Sequence, residues 1–198
     1  MRLTAIALAW LIYFALHSLL ADSGCKAWVA NRWPQYMPGY RLGFNVFSVV
    51  ALAPILWLVY GFESARVWQW SGNWAWLANL LTLTAVLLFF SSARAYDMDE
   101  FFGVRQLKEH VRDDRQSFTL SALHRFVRHP WYFLSLILIW SREMNESLLV
   151  SAVLVTLYLF VGARLEERKL LARYGAAYCE YMQRVPGLIP SPWKYLTV

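Results

Sequence analysis

Five apolar runs separated by charged segments limit what this chain of 198 residues can fold into. The runs cover residues 3–20, 44–61, 74–92, 131–141 and 147–162. A helix needs roughly 20 residues to cross a hydrocarbon core about 30 Å thick, because each residue adds only ~1.5 Å. The fourth run covers about half of that depth, so its helix must start at His129 and Pro130 or sit shallowly within the protein. The pattern predicts an all-α, polytopic membrane bundle with about five transmembrane segments.

The composition supports this membrane assignment. The sequence is 59% hydrophobic and its mean hydropathy is +0.36, whereas soluble domains contain nearer ~45–50% apolar residues. Only Arg2 precedes the first run and no small-residue cleavage site closes it, so we expect a retained helix rather than a signal peptide. No nucleic-acid-binding motif accompanies the net charge of +6, and no nucleic-acid partner is predicted.

Basic residues set the predicted orientation. Most of the 19 Lys and Arg residues lie in the segments 21–43, 93–130 and 163–198. The positive-inside rule therefore predicts an external N-terminus and a cytoplasmic C-terminus, in what we expect to be a bacterial inner membrane. The same charges favour attraction to the lipid bilayer through anionic headgroups. We expect one membrane domain over 1–198, with three segments in 1–92, a cytoplasmic loop over 93–130, and a helical hairpin with a cytoplasmic C-terminal helix over 131–198.

Two polar stretches outside the runs are predicted to be helical. "DEFFGVRQLKEHVRDD", residues 99–114, predicts an amphipathic helix on the membrane surface with Phe101, Phe102, Val104 and Leu107 on one side. The alternative is a loop that folds over a site. The helix of the fifth run is expected to continue past Arg164 and to end near Gly175, followed by a short helix "AAYCEYMQRV".

Three polar clusters flank the last two runs. They are Arg128-His129-Pro130, Glu166-Glu167, and Tyr178 with Tyr181. If the last two runs form a hairpin, the first two clusters lie side by side at the membrane edge, where charges are tolerated when they pair or bind a polar group. Spacing alone leaves two interpretations open, a salt bridge from Arg128 that pins the hairpin, or a ligand site. Adjacent glutamates point about 100° apart on a helix, so one at most faces a given partner.

These clusters also carry a resemblance. "RFVRHPWYF", residues 125–133, and "LEERKLLARYGAAYCEYMQRVPGLIP", residues 165–190, resemble the C-terminal signature of the isoprenylcysteine carboxyl methyltransferase-like superfamily, which includes phospholipid N-methyltransferases. "LHSLLA" at 16–21 and "FFGVRQL" at 101–107 are similar to the branch with bacterial methanethiol S-methyltransferases and NnrU-like proteins. The chain departs from the pattern because no glycine follows Arg-His-Pro and His124 replaces a common tyrosine. These departures bear on the methyl acceptor more than on the cofactor.

The resemblance implies an S-adenosylmethionine-dependent methyltransferase. The residues it assigns to the cofactor are Arg128, His129, Pro130, Tyr132, Glu166, Glu167 and Tyr178. Their chemistry suits this ligand, because a carboxylate can hold its ammonium group and an arginine or histidine can hold its carboxylate. An aromatic ring such as Tyr132 or Trp131 can lie near its cationic sulfur.

The acceptor side is predicted from three residues. A thiol must lose its proton before methylation, and His17 and His129 are the candidate bases. Arg105 can lower the pKa of a thiol or orient a carboxylate. His17 taken alone favours a structural role near the membrane interface, whereas the "HSLLA" motif around it brings a site role level with that interpretation.

Several functions remain open from the sequence. The leading prediction is methylation of a small or lipid-soluble thiol; one alternative acceptor is a prenylcysteine carboxylate or lipid amine. The other alternative is a non-enzymatic NnrU-like accessory protein of nitrogen-oxide metabolism. His110, His124 and His129 have no metal-ligand spacing, so no metal site is predicted, and no stable protein partner is inferred.

Overall fold

A computed structural model of the chain describes residues 1–110 and 120–196. The helices are α1 Arg2–Ala21, α2 Ser23–Arg32, α3 Met37–Tyr60, α4 Asn73–Ala93, α5 Met98–Phe102, α6 Val104–Glu109, α7 Pro130–Trp140 and α8 Glu146–Arg184. Short 3-10 turns cover Pro34–Tyr36 and Ala122–Arg125, and two short strands are β1 Arg66–Trp68 and β2 Met144–Asn145. The predicted all-α class is confirmed.

The spanning helices match the apolar runs. Among the described residues, four helical segments are long and apolar enough to cross a membrane. They are α1, the segment Pro34–Tyr60 that contains α3, helix α4, and helix α8. α7 is a shorter apolar helix of 11 residues. Large apolar side chains such as Leu11, Val49 and Leu80 are exposed on the long helices, as expected of surfaces covered by lipid chains. The chain is therefore an integral membrane protein, and the short fourth segment is confirmed.

One compact unit, called the first unit, contains the described residues within Met1–Ala65, Tyr96–Phe118 and Glu146–Ser151. In it α1 packs on α3, and α3 packs on α6. The indole nitrogen of Trp10 donates to Ser151 Oγ at 2.9 Å. The polar turn after the first run contains α2, which begins where the Asp22 carboxylate accepts from the Gly24 backbone N–H at 2.8 Å.

The amphipathic segment in the first unit differs from the prediction. A single helix over 99–114 was expected, but α5 and α6 are separated at Gly103, whose φ is 85°. A Cβ at this position would lie 2.6 Å from the Leu42 backbone nitrogen. Gly103 therefore lets the chain turn while its backbone approaches α3 closely. Residues 111–114 of the predicted helix lie outside the described residues.

The second unit contains the described residues within Arg66–Ala95, Thr119–Asn145 and Ala152–Val198. α4 packs on α7, and polar pairs join them: Thr82 Oγ1 lies 2.7 Å from Ser141 Oγ, and Trp131 Nε1 donates to Ser92 Oγ at 2.8 Å. The strands β1 and β2 of this unit pair antiparallel, with Arg66 opposite Asn145 and Trp68 opposite Met144. These contacts hold α7 by its sides, which suits a helix too short to span alone.

The end of the long helix α8 behaves as predicted. Gly175 has φ 55° and ψ −129°, which interrupts the helical backbone before the short continuation to Arg184. Beyond it, Tyr178, Tyr181 and Val185 form a buried cluster. The interruption lets the last turns of the chain pack beside the start of α7.

Candidate functional site

Arg128 lies at the centre of the polar clusters in the second unit. Its Nε donates to Glu167 Oε1 at 2.8 Å, and its Nη2 lies 2.7 Å from the same oxygen. Its Nη1 donates to the backbone carbonyls of Met182 at 3.0 Å and Val185 at 2.5 Å. The arginine and glutamate side chains are 11% and 15% exposed. Arg128 and Glu167 are called the buried ion pair below.

Backbone hydrogen bonds reinforce the same junction. The Arg128 N–H donates to Pro186 O at 2.9 Å, and the His129 N–H donates to Gly187 O at 3.1 Å. A Cβ on Gly187 would lie 3.3 Å from Arg128 Nη2 and 3.6 Å from Glu167 Oε1. The glycine therefore leaves room for the buried ion pair. Pro130 follows as the first residue of α7, where its missing N–H costs no helical bond.

His129 lies between the two glutamates. Its Nε2 is 3.2 Å from Glu167 Oε1, and its Nδ1 is 3.5 Å from Glu166 Oε2. The side chain is 5% exposed, and its ring stacks on Tyr132 with centroids 5.3 Å apart. A protonated imidazole can donate to both carboxylates, whereas a neutral one donates from one nitrogen only. Both glutamates thus fix the ring orientation.

Glu166 and Tyr132 form the accessible part of the site, called the exposed edge below. The Tyr132 hydroxyl donates to Glu166 Oε2 at 3.2 Å. The Glu166 side chain is 49% exposed, in contrast to 15% for Glu167. A ligand approaching from solvent meets Glu166 before Glu167.

The buried cluster of Tyr178, Tyr181 and Val185 packs next to the buried ion pair, because the Val185 carbonyl accepts from Arg128. Tyr178 is buried there, and the Tyr181 hydroxyl donates to His124 O at 2.7 Å. His124 Nδ1 accepts from the Ser121 backbone N–H at 3.1 Å. Burial lowers the pKa of His124, and the nearby charge of His129 acts in the same direction.

The predicted cofactor residues are brought together. Arg128, His129, Pro130, Tyr132, Glu166, Glu167 and Tyr178 all lie in the second unit. The predicted meeting of the Arg-His-Pro and Glu-Glu elements is confirmed, and so is the salt bridge from Arg128 to a single glutamate. Sequence reasoning did not find the Met182 and Val185 carbonyls or Gly187. The glycine inside the ending "VPGLIP" was a signal for close packing, whereas the backbone carbonyls gave none, because every residue has one.

The predicted acceptor residues His17 and Arg105 lie in the first unit. The His17 ring packs on Phe44 and Tyr13, with centroids 4.9 Å and 5.7 Å apart. Arg105 is ion-paired with Asp97 and with Glu100, the latter at 3.3 Å. No group of three or more His, Cys, Asp or Glu side chains in the described residues is placed to hold a metal ion.

The arrangement in the second unit suits a small polar ligand with a cationic group. The exposed edge supplies a carboxylate and a phenol, and the His129 imidazole stacks on the Tyr132 ring beside them. In the buried ion pair the charges of Arg128 and Glu167 offset each other, and Glu167 also contacts the His129 ring.

Sequence comparison finds relatives over most of the chain. The chain is 32% identical over 180 residues to methanethiol S-methyltransferase 2 of Bradyrhizobium diazoefficiens, covering 88% of this chain and 68% of the relative. It is 28% identical over 199 residues to a methanethiol S-methyltransferase of Mycobacterium tuberculosis, covering 93% and 76%. Nurim of Rattus norvegicus is 25% identical over 183 residues, covering 82% and 68%. No family model and no solved structure matches.

Proposed function

Since the chain belongs to the isoprenylcysteine carboxyl methyltransferase-like family of integral membrane methyltransferases, we propose that it uses S-adenosylmethionine to methylate a small or lipid-soluble thiol. The relatives named methanethiol S-methyltransferase support a thiol as the proposed acceptor. The reaction is placed at the cytoplasmic membrane interface, with the N-terminus outside and the C-terminus in the cytoplasm, because the basic segments favour that orientation.

One observation carries the cofactor assignment, the exposed edge of Glu166 and Tyr132 beside His129. S-adenosylmethionine carries an ammonium group, a carboxylate and a cationic sulfur. The half-exposed Glu166 carboxylate suits the ammonium group through a charge-assisted hydrogen bond. One face of the Tyr132 ring stacks on His129, and the proposal gives its other face to the cationic sulfur. The donor set present therefore fits the cofactor.

Arg128 and Glu167 are given a supporting role in this proposal. The guanidinium of Arg128 is already engaged by Glu167 and two backbone carbonyls. Binding the cofactor carboxylate through Arg128 would require some of these contacts to be replaced. We therefore assign direct cofactor contact to Glu166, Tyr132 and His129, while Arg128, Glu167, Pro130 and Tyr178 hold those groups in position.

A thiol acceptor must lose its proton before it is methylated. When bound, S-adenosylmethionine supplies a methyl group on a cationic sulfur that is open to direct in-line displacement. The protein's contribution is then mainly orientation, which can supply ~7–11 kcal/mol of barrier reduction. His17 and His129 are the proposed proton acceptors for the thiol. Arg105 stays a predicted acceptor contact, although Asp97 and Glu100 already offset much of its charge.

Two measurements test the proposal. Full-length protein in lipid nanodiscs is titrated with S-adenosylmethionine by calorimetry, and a panel of thiols beginning with methanethiol is then assayed for methylated product. We expect saturable binding and a methylated thiol. Binding with methylation only of a lipid amine or prenylcysteine carboxylate would replace the acceptor, whereas no binding would favour a non-enzymatic accessory role.

A further inference from the structure

Helix α8 continues beyond its apolar part as a basic segment that the proposed methyl-donor site does not use. The apolar run 147–162 ends just before Arg164, and the helix continues without a break to Gly175. Four cations on this extension, called the basic face below, are all exposed: Arg164, Arg168, Lys169 and Arg173. The continuous helix therefore carries this charge directly out of the membrane-spanning part.

The basic face has no acidic partner on its own helix. The two carboxylates within 163–175 are Glu166 and Glu167. Glu167 is bonded within the buried ion pair, and Glu166 accepts from the Tyr132 hydroxyl at 3.2 Å. In the part of the chain that the structure describes, none of the four cations forms a salt bridge. Their charge is therefore available to a ligand.

The spacing arranges these cations in pairs. Arg164 lies four residues before Arg168, and Lys169 lies four residues before Arg173, so the members of each pair are neighbours on one side of the helix. Like charges at this spacing repel each other and destabilise a helix. The Arg173 guanidinium also lies over the Tyr174 ring, 5.5 Å from its centroid. An anion beside Arg164 and Arg168 would offset the repulsion in the first pair.

The first three cations lie at the depth of lipid headgroups. Each residue advances a helix by ~1.5 Å, so Arg168 and Lys169 lie about 6 Å and 7.5 Å beyond Arg164 along the axis. The headgroup region adds about 5–7 Å to each side of the hydrocarbon core. Leu165 is 45% exposed at the start of this layer, which suits the boundary between acyl chains and headgroups. The phosphates of the bilayer are therefore within reach of these long side chains.

From this placement we infer that the basic face binds the phosphate of an anionic phospholipid in the leaflet from which α8 emerges. Arg164 and Arg168 hold the phosphate by charge-assisted hydrogen bonds, and Lys169 adds to the attraction. Lipid is the occupant because the basic face begins where the apolar run ends, so headgroups already surround it. The inference goes beyond the proposed function, because lipid binding here requires neither the methyl donor nor the acceptor. It also assigns to one helix face an attraction that composition gave only to the basic segments as a whole.

Lipid binding is measured by native mass spectrometry of the full-length protein in uncharged detergent micelles. Phosphatidylglycerol is compared with phosphatidylcholine of the same acyl chains, and inorganic phosphate is the third probe. We expect the first phosphatidylglycerol to bind at least about tenfold more tightly than phosphatidylcholine, because each nearby cation contributes about fivefold. Equal affinity for the two lipids, or displacement of phosphatidylglycerol by an equal concentration of inorganic phosphate, would overturn the inference.

Matched variants locate the bound lipid. Arg164→Gln and Arg168→Gln are each expected to weaken phosphatidylglycerol binding about fivefold, whereas Arg168→Lys keeps the charge and should keep most of the affinity. The control is Arg184→Gln, since Arg184 is 62% exposed on the same helix but is ion-paired with Glu180. Two glutamine variants are used so that one misfolded protein does not decide the result. Unchanged affinity in both of them, or an equal loss in Arg184→Gln, would also overturn the inference.

Discussion

Two arginine–carboxylate clusters in this protein differ in burial. Arg128 and Glu167 are nearly enclosed, and backbone carbonyls share the guanidinium. The side chain of Arg105 is 44% exposed, and that of its partner Asp97 is 37% exposed. Water and salt weaken the attraction between the charges of the second cluster, whereas they weaken the attraction within the buried ion pair much less. The same arginine–carboxylate pair therefore holds a site in position when it is buried, and contributes little to stability when it is exposed.

The largest effect is expected from breaking the buried ion pair. Arg128→Ala leaves Glu167 without its guanidinium partner in a low-dielectric setting, and should lower the free energy of unfolding by about 3–5 kcal/mol. Unfolding of the purified protein in mixed micelles by a denaturing detergent, followed by circular dichroism, measures it. A loss below about 1 kcal/mol would put the buried pair in the same class as the exposed cluster.

A smaller and different effect is expected at the exposed edge. Glu166→Gln keeps the side-chain shape but removes the charge proposed to hold the cofactor ammonium group, so affinity for S-adenosylmethionine should fall about tenfold. Unfolding stability should change little, since this carboxylate is half exposed.

The control for this variant is Glu180→Gln, which removes an exposed carboxylate paired with Arg184 on the same helix. Calorimetric titration compares the affinity of the two variants for S-adenosylmethionine, and only Glu166→Gln is expected to weaken it. Equal affinities would remove Glu166 from the cofactor site.

A pH-dependent effect is expected from His124. Because burial lowers its pKa in the folded protein, the unfolded chain binds the proton more readily. Stability contributed by neutral His124 is present above the ordinary histidine pKa of about 6.5 and is lost as pH falls below it. The difference in thermal midpoint between wild type and His124→Gln, measured across this range, should shrink toward low pH. A difference that stays constant with pH would show that His124 does not titrate in this way.

The smallest effect is expected from the exposed cluster. Arg105→Gln should change the free energy of unfolding by less than about 1 kcal/mol, and less again at about 1 M salt, where charges are screened within ~3 Å. The same detergent titration at low and high salt checks it. A loss as large as that of Arg128→Ala would erase the contrast between the two clusters.

The features that the sequence predicted correctly are those for which a physical constraint acts directly on the local pattern of residues. Apolar run length predicted the spanning helices and the short α7 because lipid imposes a length. The meeting of Arg128 with Glu167 followed from charges placed at the two ends of one hairpin. The angle between adjacent helical residues further indicated that one glutamate at most would face the arginine.

Other features could not be predicted, because they depend on distant backbone. The carbonyls of Met182 and Val185 that bind Arg128 are the same chemical group in every residue. The break at Gly103 arises from its approach to Leu42, which periodicity within 99–114 does not contain. Which glutamate is buried and which exposed also depends on packing by the chain end rather than on local sequence.

The backbone bonds from Arg128 and His129 to Pro186 and Gly187 have a consequence for biosynthesis. These acceptors follow all the apolar helices of the described residues in the sequence, and domains generally begin to fold during synthesis from the N-terminal side. A nascent chain that has reached Trp140 can insert its helices, but it does not yet contain Glu167 or the Met182 and Val185 carbonyls that bind Arg128. The polar site is therefore assembled only when the ribosome has released the segment around Gly187, after membrane insertion is largely complete.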